Sequence, residues 1–224
     1  MKKIIISVLS IVVFCILILI VNYIIVVRSS SEISIGKPII QRDLIKRAVL
    51  VIDIQEGLTG KFSSIDYLIS NSEKLINVVN QITDSSSRNS IPIVYIKNEI
   101  SNPLINILNN SMERGSPGAE LDTRLKLVSD YIISKDKGDA FSNPLLDSIL
   151  IKNDINVLVF TGLDLAECVN STILAAANRN YKICVISDAV ITESDSLKNS
   201  ILEKFKQSGF EVITSDEYFE KIRK

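Results

Sequence analysis

The sequence predicts a three-layer α/β/α fold, a parallel β-sheet covered by helices on both faces, with an added N-terminal transmembrane helix. Three observations predict it. Short runs that are apolar throughout recur along the chain, which is typical of strands buried on both faces of a sheet. Segments with helical character alternate with these runs, as they do in parallel α/β proteins. An uncharged stretch that is long enough to cross a bilayer precedes all of them.

The N-terminal segment has the length and composition of a membrane span. Residues 4–27 carry no charge and follow Met1-Lys2-Lys3. A spanning helix needs about 20 apolar residues, whereas the apolar core of a cleaved signal peptide usually has about 7–15. No clear Ala-x-Ala cleavage site follows, although the small residues Ser29-Ser30-Ser31 leave cleavage open. We therefore predict an uncleaved membrane anchor over residues 1–28.

The charges that flank this span favour one orientation. Lys2, Lys3 and the amino terminus lie at one end, and Arg28 lies at the other. Because basic flanks tend to stay in the cytoplasm, this bias predicts a single-pass protein whose main domain lies outside the cytoplasm. Further basic residues act against that orientation if they count as part of the flank: Lys37, Arg42, Lys46 and Arg47.

A polar connector is predicted at residues 29–43, followed by one domain over residues 44–224. The connector contains Gly36 and Pro38 and reads as a short tether. The first strand of the domain, at residues 48–52, has the sequence Ala-Val-Leu-Val-Ile. Five more apolar runs predict strands at residues 91–96, 130–134, 155–160, 181–186 and 211–214. Helices are predicted between strands at residues 67–80, 145–152, 168–178 and 197–208.

Composition excludes several classes of protein. The net charge of −1 provides no basic surface for nucleic acid. The chain has no histidine, which excludes Ser-His-Asp and Cys-His triads and any zinc site that requires imidazole. Its cysteines, Cys15, Cys168 and Cys184, have neither metal-binding spacing nor a disulfide framework. We therefore expect no metal ion and no other cofactor.

Cys168 is the most informative residue of the domain. It follows the fourth predicted strand and Gly162, and a good helix former comes directly after it. Unpaired backbone N–H groups and the dipole at a helix N-terminus stabilise a thiolate, which makes such a cysteine a usable nucleophile with a lowered pKa. The alternative is a buried structural cysteine.

Two charged residues also end predicted strands. Asp53 ends the first strand and Lys135 ends the third, and in parallel sheets ligands bind at this edge. A carboxylate could accept the thiol proton, and a cation could hold developing negative charge. Alternatively, Asp53 is a helix cap and Lys135 an exposed lysine, with Lys137 as its rival for a functional role.

These residues, in this order, resemble the isochorismatase-like cysteine hydrolase family. The matching segments are residues 48–55 with Asp53, the Gly-rich residues 115–121, Lys135 ahead of Ala140-Phe141, the loop from Gly162 to Cys168, and residues 181–189. The resemblance implies a sheet ordered 3-2-1-4-5-6 and a cis peptide bond between Leu163 and Asp164. It also implies that backbone N–H groups near Asp164 and Cys168 stabilise an oxyanion.

The resemblance implies roles for six side chains. Cys168 would be the nucleophile, Asp53 the proton acceptor and Lys135 the stabilising cation. Phe141 would line the pocket, or simply pack in the core. Gln55 would orient Asp53, contact the substrate or have a plain loop role. Asp164 departs from the family, where its position is usually small or apolar, and its carboxylate could repel a thiolate, face a cationic substrate group or point to solvent.

The chain also departs from the family. Leu165-Ala166 replaces the Thr-Asn or Thr-Asp that precedes the cysteine in many members, and the histidines of the nicotinamidase metal site are missing. Two hypotheses follow. One is a membrane-anchored cysteine hydrolase that cleaves a small amide or related C–N bond through a thioester. The other is a binding or scaffolding module that kept the fold without turnover. A homo-oligomer remains open in either case.

Overall fold

All six strands form one parallel sheet in the order β3-β2-β1-β4-β5-β6, which confirms the predicted order. The computed structural model describes residues 2–108 and 111–223. The strands are β1 Arg47–Ile52, β2 Ile93–Asn98, β3 Ile132–Lys135, β4 Val157–Gly162, β5 Lys182–Val190 and β6 Glu211–Ile213. The central strands β1 and β4 pair directly in parallel, so the chain reverses its direction of winding between them. A crevice at the carboxyl ends of two such strands is where open α/β sheets bind ligands.

Helices cover both faces of the sheet, which confirms the three-layer prediction. The helices are α1 Lys2–Ser30, α2 Asp66–Arg88, α3 Pro103–Leu108, α4 Pro144–Lys152, α5 Cys168–Asn178, α6 Asp195–Gln207 and α7 Ser215–Ile222. Side chains of β1 alternate between two buried clusters: Leu50 packs with α4, α5 and α6, and Val51 packs with α2 and α7. A strand buried on both faces must be apolar throughout, as the sequence of β1 is.

Helix α1 lies outside these layers. Its segment Lys3–Ser30 is long and apolar enough to cross a membrane, a test that a signal sequence would also pass. Most of its side chains are exposed. A narrow stripe at Leu19, Asn22, Val26 and Ser29 is half-buried, and this spacing of three to four residues places the stripe on one helix face.

The connector after α1 packs along the domain. The Ser34 N–H donates to Asp139 Oδ2 at 2.9 Å, and the Ser34 carbonyl accepts from Arg179 Nη1 at 2.9 Å. The Ile39 N–H donates to the Arg179 carbonyl at 2.8 Å. Because Arg179 is itself buried and also paired with Asp147, this part of the connector has a defined path.

Candidate active site

The structure brings Asp53, Lys135 and Cys168 together at the carboxyl edge of the sheet. Asp53 follows β1, Lys135 ends β3, and Cys168 begins α5. Lys135 Nζ lies 2.8 Å from Asp53 Oδ2 and 3.3 Å from Cys168 Sγ. Asp53 and Lys135 are almost fully buried, and Cys168 is half-buried. A cation thus contacts both a carboxylate and a thiol where little water screens the charges.

The backbone of Asp53 is held in a conformation that few non-glycine residues adopt. Its φ is 54°, in the left-handed region, and its N–H donates to the Ile96 carbonyl at 2.8 Å. Oδ2 contacts Lys135, while Oδ1 is buried without a hydrogen-bond partner among residues 2–108 and 111–223. A buried carboxylate oxygen without a partner is costly and calls for an explanation, which a role in the site would supply.

Lys135 carries its positive charge in spite of burial. Burial alone would lower the pKa of its ammonium group, but the contact with Asp53 and, to a lesser extent, that with the Cys168 sulfur more than offset this and raise the pKa above its usual value. Lys137, the rival lysine, is only half-buried and makes neither of these two contacts.

The prediction of a lowered pKa for Cys168 is wrong for this arrangement. Burial, followed by the negative charge of Asp53, raises the pKa of the thiol to about 12, and Lys135 only partly opposes this shift. The helix N-terminus does not compensate for removing the thiolate from water. The resting site therefore contains a neutral thiol beside an Asp53–Lys135 ion pair.

The loop between β4 and α5 fits closely against β1. Gly162 has a φ of 109°, and a Cβ there would lie 2.0 Å from the Ile52 carbonyl oxygen, so a side chain is excluded. The peptide bond between Leu163 and Asp164 is cis, as expected. The backbone N–H groups of Asp164 and Cys168 have no hydrogen-bond partner in the described part of the chain and are available as donors.

Asp164 serves its own loop. Its Oδ1 accepts from the Ala166 N–H at 2.7 Å, which is a local turn of the kind that aspartate favours. The side chain is half-buried, and Asp164 does not line the cavity beside Cys168. The turn within the loop explains this placement. It requires neither a cationic substrate group nor full exposure to solvent.

Gln55 lies under the site and does not reach the cavity. It is fully buried; its Nε2 donates to the carbonyls of Asn98 and Ala119 at 2.9 and 2.6 Å, and its Oε1 accepts from the Asn98 N–H at 2.8 Å. The amide joins the ends of β1 and β2 to the Gly-rich segment. Both amide protons are donated to the backbone, so the contacts in this structure give Gln55 a structural position, and a substrate contact stays a prediction.

Phe141 also lies away from the cavity beside Cys168. It packs against Tyr181 with ring centroids 6.0 Å apart, and the Arg179 guanidinium lies 4.4 Å from its ring centroid. Its exposed edge faces a hollow beneath the connector. The alternative of core packing describes this position, and a role for Phe141 in lining the substrate pocket stays a prediction.

A cavity of about 550 Å³ opens beside Cys168. Its polar walls include Asn98, Lys137 and Ser171, and its apolar walls come from α1 and from the segment that contains α3. Sequence reasoning missed these residues. Asn98 could have been found as a polar residue that ends a strand, as Asp53 does. No sequence signal places the end of α1 at this cavity. Within the described residues, no cluster of acidic and cysteine side chains could hold a metal ion.

Comparison with known proteins agrees with this fold. The isochorismatase domain profile matches residues 47–217, which is more than half of the chain. The chain therefore belongs to the isochorismatase family, a family of hydrolase folds. It is 24% identical to YaaI, an uncharacterized isochorismatase family protein of Bacillus subtilis (strain 168), over 76% of this chain and 94% of that one.

Two further relatives bear on activity. The crystal structure of N-carbamoylsarcosine amidase from Thermoplasma acidophilum superposes with a TM-score of 0.65 and 28% identity, covering 77% of this chain and 98% of the other. A protein of Arabidopsis thaliana described as a probable inactive nicotinamidase is 28% identical over 49% of this chain and 57% of its own length. The family thus includes proteins with and without such activity.

Proposed function

We propose that this protein is a membrane-anchored cysteine hydrolase that cleaves a small amide or a related C–N bond. The observation that carries the proposal is the position of Lys135 Nζ, in contact with both Asp53 Oδ2 and Cys168 Sγ. A merely structural lysine would need only one of these partners. The similarity to a structure named as an N-carbamoylsarcosine amidase supports C–N bond cleavage in particular.

The proposed reaction passes through a thioester. Cys168 Sγ attacks the carbonyl carbon while the thiol proton moves to Asp53, because the raised pKa of the thiol leaves little thiolate at rest. Lys135 and the backbone N–H groups of Asp164 and Cys168 stabilise the negative charge on the tetrahedral oxygen and on the reacting side chains of Asp53 and Cys168. The C–N bond breaks, Asp53 returns the proton to the leaving nitrogen, and water then hydrolyses the thioester to the acid and the free thiol.

The second candidate is a binding module without turnover. The raised pKa of Cys168, the Leu165-Ala166 departure and the similarity to a probable inactive nicotinamidase favour it. The pairing of Asp53, Lys135 and Cys168 argues against it, because a binding module has no need of an acid, a cation and a thiol in contact.

A screen of the full-length protein against small amides and N-carbamoyl compounds separates the two. Cys168→Ala, Asp53→Asn and Lys135→Met should each remove nearly all turnover, and double variants should lose little more because the groups act as a unit. Lys137→Met is the matched lysine control and should have a mild effect. Turnover that survives in Cys168→Ala, or is lost in Lys137→Met and not in Lys135→Met, would contradict the assignment.

The proposal includes an uncleaved anchor. The length and apolar character of Lys3–Ser30 support a single span, and the flanking charges support a domain outside the cytoplasm. The predicted division into anchor, connector and domain at residues 28 and 43 remains part of this proposal.

A further inference from the structure

The last turn of α1 forms part of the wall around the candidate nucleophile. Ile25, Val26 and Val27 line the same cavity as Cys168. These residues are the last apolar ones before Arg28, the first charge after the uncharged segment. If α1 spans a bilayer, the cavity therefore opens where the protein leaves the hydrocarbon region.

A direct hydrogen bond holds the end of α1 beside the site. The Gly138 N–H donates to the Ser30 carbonyl at 3.0 Å, and Gly138 lies three residues after Lys135. The downstream bond from Ser34 to Asp139 Oδ2 ties the connector to the same loop. The end of α1 and the loop that follows Lys135 are therefore in direct contact. If α1 spans the bilayer, the cavity lies close to the membrane boundary.

The cavity lining combines polar residues, among them the charged Asp136, Lys137 and Glu167, with apolar ones. Asn98 and Ser171 accompany Cys168, whereas Ile100 and Ile105 accompany the three apolar residues of α1. Ile105 lies on α3, whose next isoleucine, Ile107, is 72% exposed and does not line the cavity. A ligand that complements both the polar and the apolar lining residues has a polar head with a scissile bond and an apolar chain.

We infer that the substrate is a membrane-resident amphiphile, an amide that carries a long alkyl chain, and this inference rests on the proposed hydrolase function and anchor. The head enters beside Cys168, while the chain passes between α1 and α3 towards the bilayer. Sγ forms a bond to the carbonyl carbon, the C–N bond breaks, and the thiol proton reaches the leaving nitrogen through Asp53. Water then adds its hydroxyl to the acyl carbon and its proton to Sγ.

A labelling experiment tests access without requiring turnover. Full-length protein with Cys15→Ser, which removes the thiol within the span, is placed in phosphatidylcholine nanodiscs. It is treated with N-ethyl or N-decyl chloroacetamide, and modification of Cys168 is followed by peptide mass spectrometry. We expect the decyl probe to label Cys168 at least about tenfold faster, since its longer alkyl chain is removed from water when it binds.

Variants at two isoleucines of α3 distinguish entry of the decyl probe into the cavity from simple partition of the probe into lipid. Ile105→Ser should reduce the ratio of decyl to ethyl labelling at least about threefold, because it removes apolar wall. Ile107→Ser should leave the ratio unchanged. Equal labelling by the two probes, or the same change of ratio in both variants, would overturn the inference. Neither outcome depends on amide hydrolysis, which the Cys168→Ala comparison tests separately.

Discussion

At the scale of single residues, the charge distribution of the site decides how the cysteine can act. An Asp53–Lys135 ion pair and a neutral thiol share one buried space. Transfer of the thiol proton to Asp53 during attack would keep a single negative charge beside Lys135. Activation by proton transfer during attack is consistent with this arrangement, and a permanently ionised cysteine is not.

Replacing Asp53 should therefore have opposite effects on alkylation and on turnover. Asp53→Asn removes the charge that helps raise the pKa of Cys168 and leaves the thiolate as the counter-charge of Lys135. We expect iodoacetamide to label Cys168 faster in this variant than in the parent at the same neutral pH, although turnover is lost. Lys135→Met should slow labelling, because it removes the cation whose contact lowers this pKa.

Cys184 provides the internal control for that measurement. It is buried in β5, and burial raises the pKa of its thiol to about 11 without any contribution from Asp53. Its labelling rate should be the same in all variants. Slower labelling of Cys168 in Asp53→Asn would show that Asp53 activates the thiol even at rest, contrary to this description.

The same ion pair should govern stability. Lys135→Met leaves the Asp53 carboxylate buried without a cation and should reduce the free energy of unfolding by about 3–5 kcal/mol. The double variant Asp53→Asn with Lys135→Met should recover part of that loss, whereas Lys137→Met should cost little. Thermal unfolding of the detergent-solubilised chain measures all three, and a double variant less stable than Lys135→Met would contradict the explanation.

Sequence predicted the positions of Asp53, Lys135 and Cys168 but not their protonation. Strand ends and the family resemblance are local signals, and both located these residues correctly. The pKa of Cys168 depends on burial by residues distant in sequence, so its position at a helix N-terminus was not enough to predict the direction of the pKa shift. The hydrogen bonds of Gln55 could not be predicted for the same reason, because its partners Asn98 and Ala119 come from other segments.

At the scale of elements, tertiary packing extended what periodicity predicted. Helix α2 continues past the predicted end at residue 80 to Arg88, through a serine-rich stretch of modest helix propensity. Ile82 and Ser86 are buried there, and Ser86 Oγ lies 2.8 Å from the Tyr218 hydroxyl. Helix α7, which carries Tyr218, was not predicted, although the capping box of Thr214 and Glu217 is a readable signal.

The segment after the Gly-rich turn should make the domain sensitive to acid. Asp122 is buried and accepts hydrogen bonds from Thr59 Oγ1 and from the Arg124 backbone and side chain. Burial raises the pKa of its carboxyl group, but the bonds from Arg124 and Thr59 outweigh this and lower it below 3.8. This stabilisation is therefore fully present above pH 3.8 and is lost as the pH falls through the lower folded-state pKa.

Asp122→Asn should remove that contribution. We expect a loss of about 1–3 kcal/mol in the free energy of unfolding at neutral pH, since Arg124 and Thr59 lose a charged acceptor. The difference from the parent should shrink as the pH falls below 3.8. Asp154→Asn, at an exposed ion pair with Arg42, is the control and should have a small effect. A difference that does not change with pH would exclude Asp122 as the titrating group.

At the scale of the whole molecule, chain order and family resemblance were enough for the sheet, but not for its relation to α1. Parallel strands joined by helices restrict topology strongly, and the predicted strand order is observed. Packing of the connector against Arg179 and of Ser30 against Gly138 joins residues more than 100 positions apart. No periodicity or motif indicates such contacts, so the sequence alone predicts only a simple tether at residues 29–43.

Composition predicts that activity does not depend on a metal ion. The chain has no histidine, and the resemblance assigns the family's metal site to histidines. Turnover of the purified protein should therefore be unchanged after dialysis against EDTA. Loss of turnover with EDTA and its recovery on adding zinc or iron would contradict this prediction.

The final prediction concerns the anchor itself. The full chain should remain in the membrane fraction after alkaline extraction, and mass spectrometry should detect its intact N-terminal peptide. Val13→Arg with Ile16→Arg should release it or block its insertion, because each charge at the centre of a span costs about 2.5–3.5 kcal/mol. Ile35→Arg is the matched control, since Ile35 is 87% exposed on the connector and should tolerate the charge.

A soluble product that begins near Ser31 would identify the segment as a cleaved signal. Such cleavage would also remove the Ser30 carbonyl from Gly138, so a cleaved protein would lose the contact that holds α1 beside the lysine loop.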